Sequence, residues 1–369
     1  MEKWQKMAAK FNYTVNVTGK VKDYFIKTIL ATDAVHNNQH VAGTILFPHN
    51  SGLSNSHNPD HFYNLGKWTG KNVKESGFNY AFAPTVAVSH NPQWGRFYET
   101  MGSDSALIKQ YAKAYTEGLQ GKGSSLTGVI GSVKHFIGDG ATMYGADEGN
   151  VHVSNYSTFL DHNVQGYIGA VEADIGTVMC SYSAINWVPM AISPMIPDIM
   201  RNKLKFDGFV ISDYDELGRI VFQHLPTSFQ TMKGINESVA MAINAGIDMM
   251  MIPPWNGEQN IVVTMGAIKE ALENNAITEE RLNDAIARIL SVKISMGLVS
   301  SKIKGEEKMT IVGKENEPNL KVENEEKESV TSEYEDSLNA VHESLVLLKN
   351  NNNILPLKTE NLDYIVFVG

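Results

Sequence analysis

Short apolar runs that close on polar residues recur along the chain, each followed by a loop and then by a stretch with apolar residues at helical spacing. The runs occupy residues 28–32, 80–88, 129–133, 177–180, 209–211 and 247–252. Continuous apolar runs of this length, bounded by turn residues, are expected of buried strands. Helical spacing follows at 105–119, 159–173, 194–204, 237–245 and 260–273. Strand–helix alternation over roughly 250 residues predicts an α/β protein of the (β/α)8 barrel type. Six runs fall short of eight, so the barrel is expected to be incomplete at its beginning or to use residues 15–18 in place of a strand. Residues 1–11 read as a short helix and 13–18 as a strand. A helix capped at Thr278 runs to about Met296 and stops at Gly297.

The pattern changes after residue 299. Residues 300–330 are rich in Lys, Glu and Asn, a composition that predicts a solvated acidic linker. Residues 337–349 then place Leu338, Val341, Leu345 and Leu348 on one helical face, and 364–369 read as a buried strand. The expected organisation is a barrel over 1–299, a linker over 300–330, and the first elements of a second, α/β sandwich domain over 331–369.

Composition narrows the function. A net charge of −10 argues against nucleic acid or an anionic membrane surface as partner. Cys180 is the single cysteine, so there is neither an internal disulfide nor a cysteine-based metal site. The first ten residues lack the apolar stretch of a secretory signal, and no run approaches the length of a membrane span. His36 and His40 lack the surroundings of a zinc site, no phosphate-binding glycine motif is present, and Met249 to Met251 reads as core packing.

Chemistry collects where the runs end. The first closes on Asp33-Ala34-Val35-His36, the third on Lys134-His135-Phe136, the fourth on Ser181-Tyr182-Ser183 and the fifth on Ser212-Asp213. Taken singly, Asp33 reads as a turn or cap residue, Asp213 as a helix cap, His135 as a core histidine and Lys134 as a solvated residue. In a parallel barrel, however, all these points face one mouth. The loop after the second run adds Trp94, Arg96 and Glu99, either as a structural stack with an ion pair or as part of the same mouth. A carboxylate held ionised among cationic donors suits a nucleophile, or a stabiliser of an oxocarbenium-like centre, acting on a polyhydroxylated ligand.

These segments resemble the family 3 glycoside hydrolases, in particular the exo-acting β-glucosidase and β-glucan exohydrolase branch. The likeness runs from about Asp33 to Gly369. It rests on Asp33-Ala34-Val35-His36, Ile45 to Asn50, Ala83-Pro84 with Trp94-Gly95-Arg96, Lys134-His135-Phe136 with Gly138-Asp139-Gly140, Gly208 to Asp213, and Glu343 to Asn350 with Leu355-Pro356-Leu357. The resemblance implies that Asp213 is the nucleophile of a retaining mechanism. It places Asp33, Arg96, Lys134, His135 and Tyr182 around the non-reducing-end sugar, with Glu148 as a supporting acid. It also implies a β-glucoside or β-glucan oligosaccharide as partner, no cofactor or metal, and a general acid supplied by a second domain outside this chain; it allows a secreted or lysosomal/vacuolar setting, with the compartment left open. Tyr214 departs from the Trp common after the nucleophile, and Asn37 from the usual Gly. The Lys134-to-Gly140 stretch lacks the His of the N-acetylglucosaminidase branch. Two further readings are a degenerate sugar-binding paralogue without turnover and a Schiff-base enzyme acting through Lys134.

Overall fold

The computed structural model describes residues 12–17, 20–121, 128–220, 232–253, 259–304, 309–312, 330–358, 360, 364 and 366. In chain order, β1 (Asn12–Val17) and β2 (Lys20–Ile26) precede β3 (Ala31–Thr32), α1 (Pro59–Glu75), β4 (Tyr80–Ala81), α2 (Ser105–Gln120) and β5 (Ile130–Phe136). Then come β6 (Asn150–Val151), α3 (Tyr156–Asn163), α4 (Gln165–Glu172), β7 (Thr177–Cys180), β8 (Ala184–Ile185), β9 (Val188–Pro189), a π-helical segment (Ile196–Lys203) and β10 (Phe209–Tyr214). The remainder is α5 (Glu216–Arg219), α6 (Met232–Asn244), β11 (Met249–Met251), α7 (Gln259–Glu273), α8 (Glu279–Ser295), β12 (Val299–Ile303), β13 (Met309–Ile311) and α9 (Val330–Ser344).

The six apolar runs become one curled parallel sheet, whose spatial order β3-β4-β5-β7-β10-β11 is also their order in sequence. All its pairings are parallel. This is an α/β half-barrel of the kind expected. Its two faces follow the period of two along each strand. Val178 and Val210 pack outward against a core built with Leu65, Tyr111 and Leu119 of α1 and α2. Met179, Phe209 and Ile211 pack inward with Tyr80 and Ile130, and Val292 of α8 closes that inner cluster.

Local signals account for the helix starts. Asn58 and Asp104 accept backbone N–H groups at the heads of α1 and α2, and Thr278 does so for α8. Helices α1 and α2 meet through glycines: a Cβ on Gly66 would lie 2.2 Å from the Tyr115 carbonyl oxygen, and one on Gly118 would lie 2.1 Å from that of Tyr63. Beside β10, Asp248, whose side chain is fully buried, accepts from Arg201 at 2.6 Å, Arg281 at 2.7 Å and the Val210 amide at 2.8 Å.

Several elements differ from the sequence reading. Strand β1 does not stand in for a barrel strand; it pairs antiparallel with β2 in a separate sheet of order β1-β2-β12-β13. Its alternating Tyr13, Val15 and Val17 suit an antiparallel strand better than a parallel one buried on both faces. The opening of the segment read as a linker supplies β12 and β13 of that sheet. Helix α1 has no counterpart among the elements expected from the pattern. Residues 159–173 form two helices joined at Val164. Helix α9 ends at Ser344 and docks through Glu333, Ser337 and Ala340, leaving Leu345 and Leu348 exposed beyond its end. Glu333 accepts from Asn37 at 2.8 Å and Asn72 at 2.7 Å, and Asp336 from the Trp68 indole at 2.8 Å, so polar bonds rather than the leucine face hold this helix to α1. The helix expected at 1–11 lies outside the described residues. So does the strand at 364–369, apart from Tyr364 and Val366, which are exposed and carry no strand. No helix among the described residues is long and apolar enough to cross a membrane.

Candidate active site

The parallel sheet brings its carboxyl-end residues to one edge. Asp33 stands one residue past β3, Lys134 and His135 occupy the end of β5, Tyr182 lies two residues past β7, and Asp213 is the penultimate residue of β10. Arg96 enters from the loop that follows β4, just before a 3-10 turn at Phe97–Glu99.

Ionic hydrogen bonds join these groups. Lys134, almost fully buried, donates from Nζ to Asp33 Oδ1 at 2.7 Å. The Asp33 side chain is half exposed, so its second oxygen remains open to a ligand. Arg96 makes a fork on Glu99, with Nε to Oε1 at 2.9 Å and Nη2 to Oε2 at 2.8 Å. Burial pushes the Glu99 carboxyl up, but the bonds and charge of Arg96 and the charge of Lys134 outweigh it and bring the group to about 2. Glu99 therefore stays ionised and fixes the guanidinium plane. Arg96 Nη1 then reaches His135 Nε2 at 3.3 Å, while His135 Nδ1 faces Asp139 Oδ2 at 2.9 Å. Asp139, as a carboxylate, only accepts and arginine only donates, so the tautomer with its proton on Nδ1 satisfies both contacts.

Asp213 sits at the centre. Its Oδ2 lies 3.7 Å from His135 Nε2, and its Oδ1 accepts the Tyr214 amide at 2.7 Å. From beneath, the Asp213 amide donates to Glu216 Oε2 at 2.9 Å. Glu216 is buried, and that burial, with the charge of Asp213 adding to it, raises its carboxyl to about 8. The Tyr182 hydroxyl donates to the Tyr214 carbonyl. Burial first, and then the Asp213 charge, push its ionisation well up, so it remains a donor at ordinary pH. Arg219 covers the Tyr182 ring at 4.0 Å and pairs with Glu148. Glu148 thus reaches the site through Arg219 and Tyr182 rather than by touching Asp213.

The structure brings Asp33, Arg96, Lys134, His135, Tyr182 and Asp213 to one mouth and sets Glu148 one layer behind. Glu99 forms the ion pair with Arg96 that the loop suggested. Two carboxyl groups escaped sequence reasoning as members of this network, Asp139 and Glu216, and of these Asp139 carried a usable signal, since it follows His135 by four residues. Trp94, rather than stacking on Arg96, donates its indole N–H to Asp147 at 2.9 Å. His36 packs edge-on against His49, with ring centroids 4.6 Å apart. Among the described residues no cluster of three or more metal-ligating side chains occurs. The arrangement offers one central carboxylate ringed by fixed cationic donors and one half-exposed acceptor, a set suited to a neutral ligand with several hydroxyls.

Comparison with known proteins gives the same direction. The family described as Glycosyl hydrolase family 3 N terminal domain matches residues 1–292. A lysosomal beta glucosidase of Dictyostelium discoideum is 28% identical over 354 residues, which cover 93% of this chain and 40% of that protein. The exo-1,3/1,4-beta-glucanase from a Pseudoalteromonas species superposes with a TM-score of 0.73 at 32% identity, over 91% of this chain and 39% of that one. A beta-glucosidase from Listeria innocua in complex with isofagomine shares the fold, with a TM-score of 0.74 at 23% identity over 96% of this chain and 44% of that one. The chain spans about 40% of the length of the curated relatives it matches.

Proposed function

The chain belongs to glycosyl hydrolase family 3, and on that premise we propose that it carries the nucleophile and sugar-binding part of a retaining exo-β-glucosidase. The substrate is a terminal, non-reducing β-D-glucosyl residue of a glucoside or β-glucan oligosaccharide. The observation that carries this reading is the placement of Asp213, whose Oδ2 lies 3.7 Å from His135 Nε2 at a strand end ringed by Arg96, Lys134 and Asp33. Its support from relatives is that they include a lysosomal beta glucosidase and an exo-1,3/1,4-beta-glucanase.

In this reading Asp33 accepts from sugar hydroxyls while Lys134 and Arg96 donate to them, with His135 held by Asp139. Asp213 attacks the anomeric carbon as the bond to the leaving oxygen breaks, and a glycosyl ester forms. Water then attacks the same carbon and gives a proton to the group that had protonated the leaving oxygen, the ester bond breaks, and Asp213 leaves as a carboxylate. The leaving oxygen needs a proton. Among the described residues the neighbouring carboxyl groups are already engaged: Glu99 by Arg96, Asp139 by His135, and Glu216 beneath the Asp213 amide. The acid is therefore assigned to a part of the molecule outside the described residues, and residues 331–369 to the opening of the domain that brings it. Lys134 acts as a donor, its Nζ held 2.7 Å from Asp33 Oδ1.

A 2-deoxy-2-fluoro-β-glucoside with a dinitrophenyl leaving group tests this, because it leaves without acid help and yields a long-lived ester. Intact-mass spectrometry with peptide mapping should find one adduct, on the peptide holding Asp213, and none in Asp213→Asn. An adduct elsewhere, or glucose binding without any adduct, overturns the assignment.

A further inference from the structure

Two exposed aromatic residues, Trp187 and Tyr144, hold backbone conformations that their side chains disfavour. Strands β8 and β9 are joined by the two-residue loop Asn186-Trp187, with Ile185 opposite Val188. Both loop residues have positive φ, 47° and 69°. A turn of this kind favours Asn followed by Gly, and a bulky residue in the second place is strained. Packing does not compensate, because Trp187 is 74% exposed. Tyr144 repeats the combination, with a φ of 59° and 86% exposure. Strain retained without packing gain is a mark of a functional surface.

The base under these rings is fixed. Asn150 Oδ1 accepts the Trp187 amide at 2.7 Å, and its Nδ2 reaches the thioether of Met143, next to Tyr144, at 3.6 Å. Asn186 bonds both backbone polar groups of Val153 at 2.9 Å and donates to the Tyr156 hydroxyl at 3.1 Å. The hairpin is also continuous with the active site. It begins two residues after Tyr182, and the Ala184 amide donates to Gly149, the neighbour of Glu148, whose partner Arg219 covers the Tyr182 ring.

We propose that Trp187 and Tyr144 form an outer sugar-binding platform that holds the part of a β-linked glucan chain beyond the bond to be broken. The inference rests on the glucosidase reading above. A pyranose has an apolar face of C–H groups and an edge of hydroxyls; exposed indole and phenol rings set among asparagine amides match both. An exo-acting enzyme leaves the rest of its oligosaccharide outside the pocket, and the hairpin that carries Trp187 starts two residues after Tyr182.

The test compares wild type with Trp187→Gly and Trp187→Tyr by titration calorimetry, using glucose and a β-1,3-linked glucotetraose. Glycine relieves the turn, so Trp187→Gly should melt no lower than wild type. Its tetrasaccharide affinity should fall roughly 3- to 10-fold, the worth of one aromatic stacking contact, with glucose affinity unchanged. Trp187→Tyr should recover most of the loss. Unchanged tetrasaccharide affinity in Trp187→Gly, or an equal fall for both sugars, overturns the platform. Labelling of Asp213 in the same preparations separates the two ideas: intact labelling with unchanged tetrasaccharide affinity overturns the platform alone. No labelling and no sugar binding, even in wild type, overturns both.

Discussion

Glu216 makes stability depend on pH in a direction opposite to that of most carboxylates. Its side chain is buried under Asp213, and its folded value of about 8 stands above an ordinary value of 4.5. Between those values the folded protein keeps a proton that the unfolded chain has lost. Stability from this group is therefore fully present below pH 4.5 and is lost as pH rises through 8. At about 1.36 kcal/mol per pH unit, a gap of about 3.5 amounts to roughly 5 kcal/mol, with no discount for screening because the group is fully buried. Glu216→Gln keeps the oxygen that accepts the Asp213 amide and cannot titrate. Urea unfolding of both proteins between about pH 5 and 8.5 isolates the effect, since other titrating groups are common to both. Wild type should lose stability relative to the variant at each step up to pH 8, and the difference should level off above it. Parallel pH dependences would refute the reasoning, because they would mean that Glu216 is ionised in the folded protein.

Other consequences of the geometry can be measured directly. Asp248→Ala leaves Arg201 and Arg281 partly buried without their shared carboxylate, and should cost about 3–5 kcal/mol in urea unfolding; a loss below about 1 kcal/mol would show that solvent replaces the pair. Gly66→Ala drives a Cβ against the Tyr115 carbonyl oxygen and should cost at least about 1–3 kcal/mol by thermal unfolding, with no loss if α1 and α2 can separate freely. Arg96→Lys removes the two-pronged bond to Glu99 and should slow Asp213 labelling by about tenfold or more, because a lysine cannot hold both Glu99 and the sugar side; equal labelling rates would place Arg96 outside the site.

What could be read from the chain depends on how far each signal reaches along it. Parallel strands buried on both faces must be apolar throughout, so runs such as Thr177–Cys180 stood out, and their sequential order in the sheet placed Asp33, Lys134, His135, Tyr182 and Asp213 on one edge before any contact was known. The same logic hides α1. Its buried face uses Gly66, Thr69 and Gly70 beside Phe62, Leu65 and Trp68, because a close crossing with α2 needs small residues, and these blur the helical stripe. Strands β2 and β12 carry Lys20, Lys22, Asp23 and Lys302 in an antiparallel sheet, so the pattern assigns no element to residues 20–26 and places 300–303 in the linker. At the site the division is sharper. Arg96 with Glu99 and His135 with Asp139 are local pairs, recoverable from spacing. The Lys134–Asp33 pair spans 101 positions and follows only from the sheet order. Glu216 is the hardest case. From sequence it is an acid in the first turn of a short helix, where a charge is normal. Only the packing of that helix over Cys180 and beneath Asp213 buries it, and a buried carboxyl that supports a catalytic one therefore has no signature until the two strands β7 and β10 are side by side.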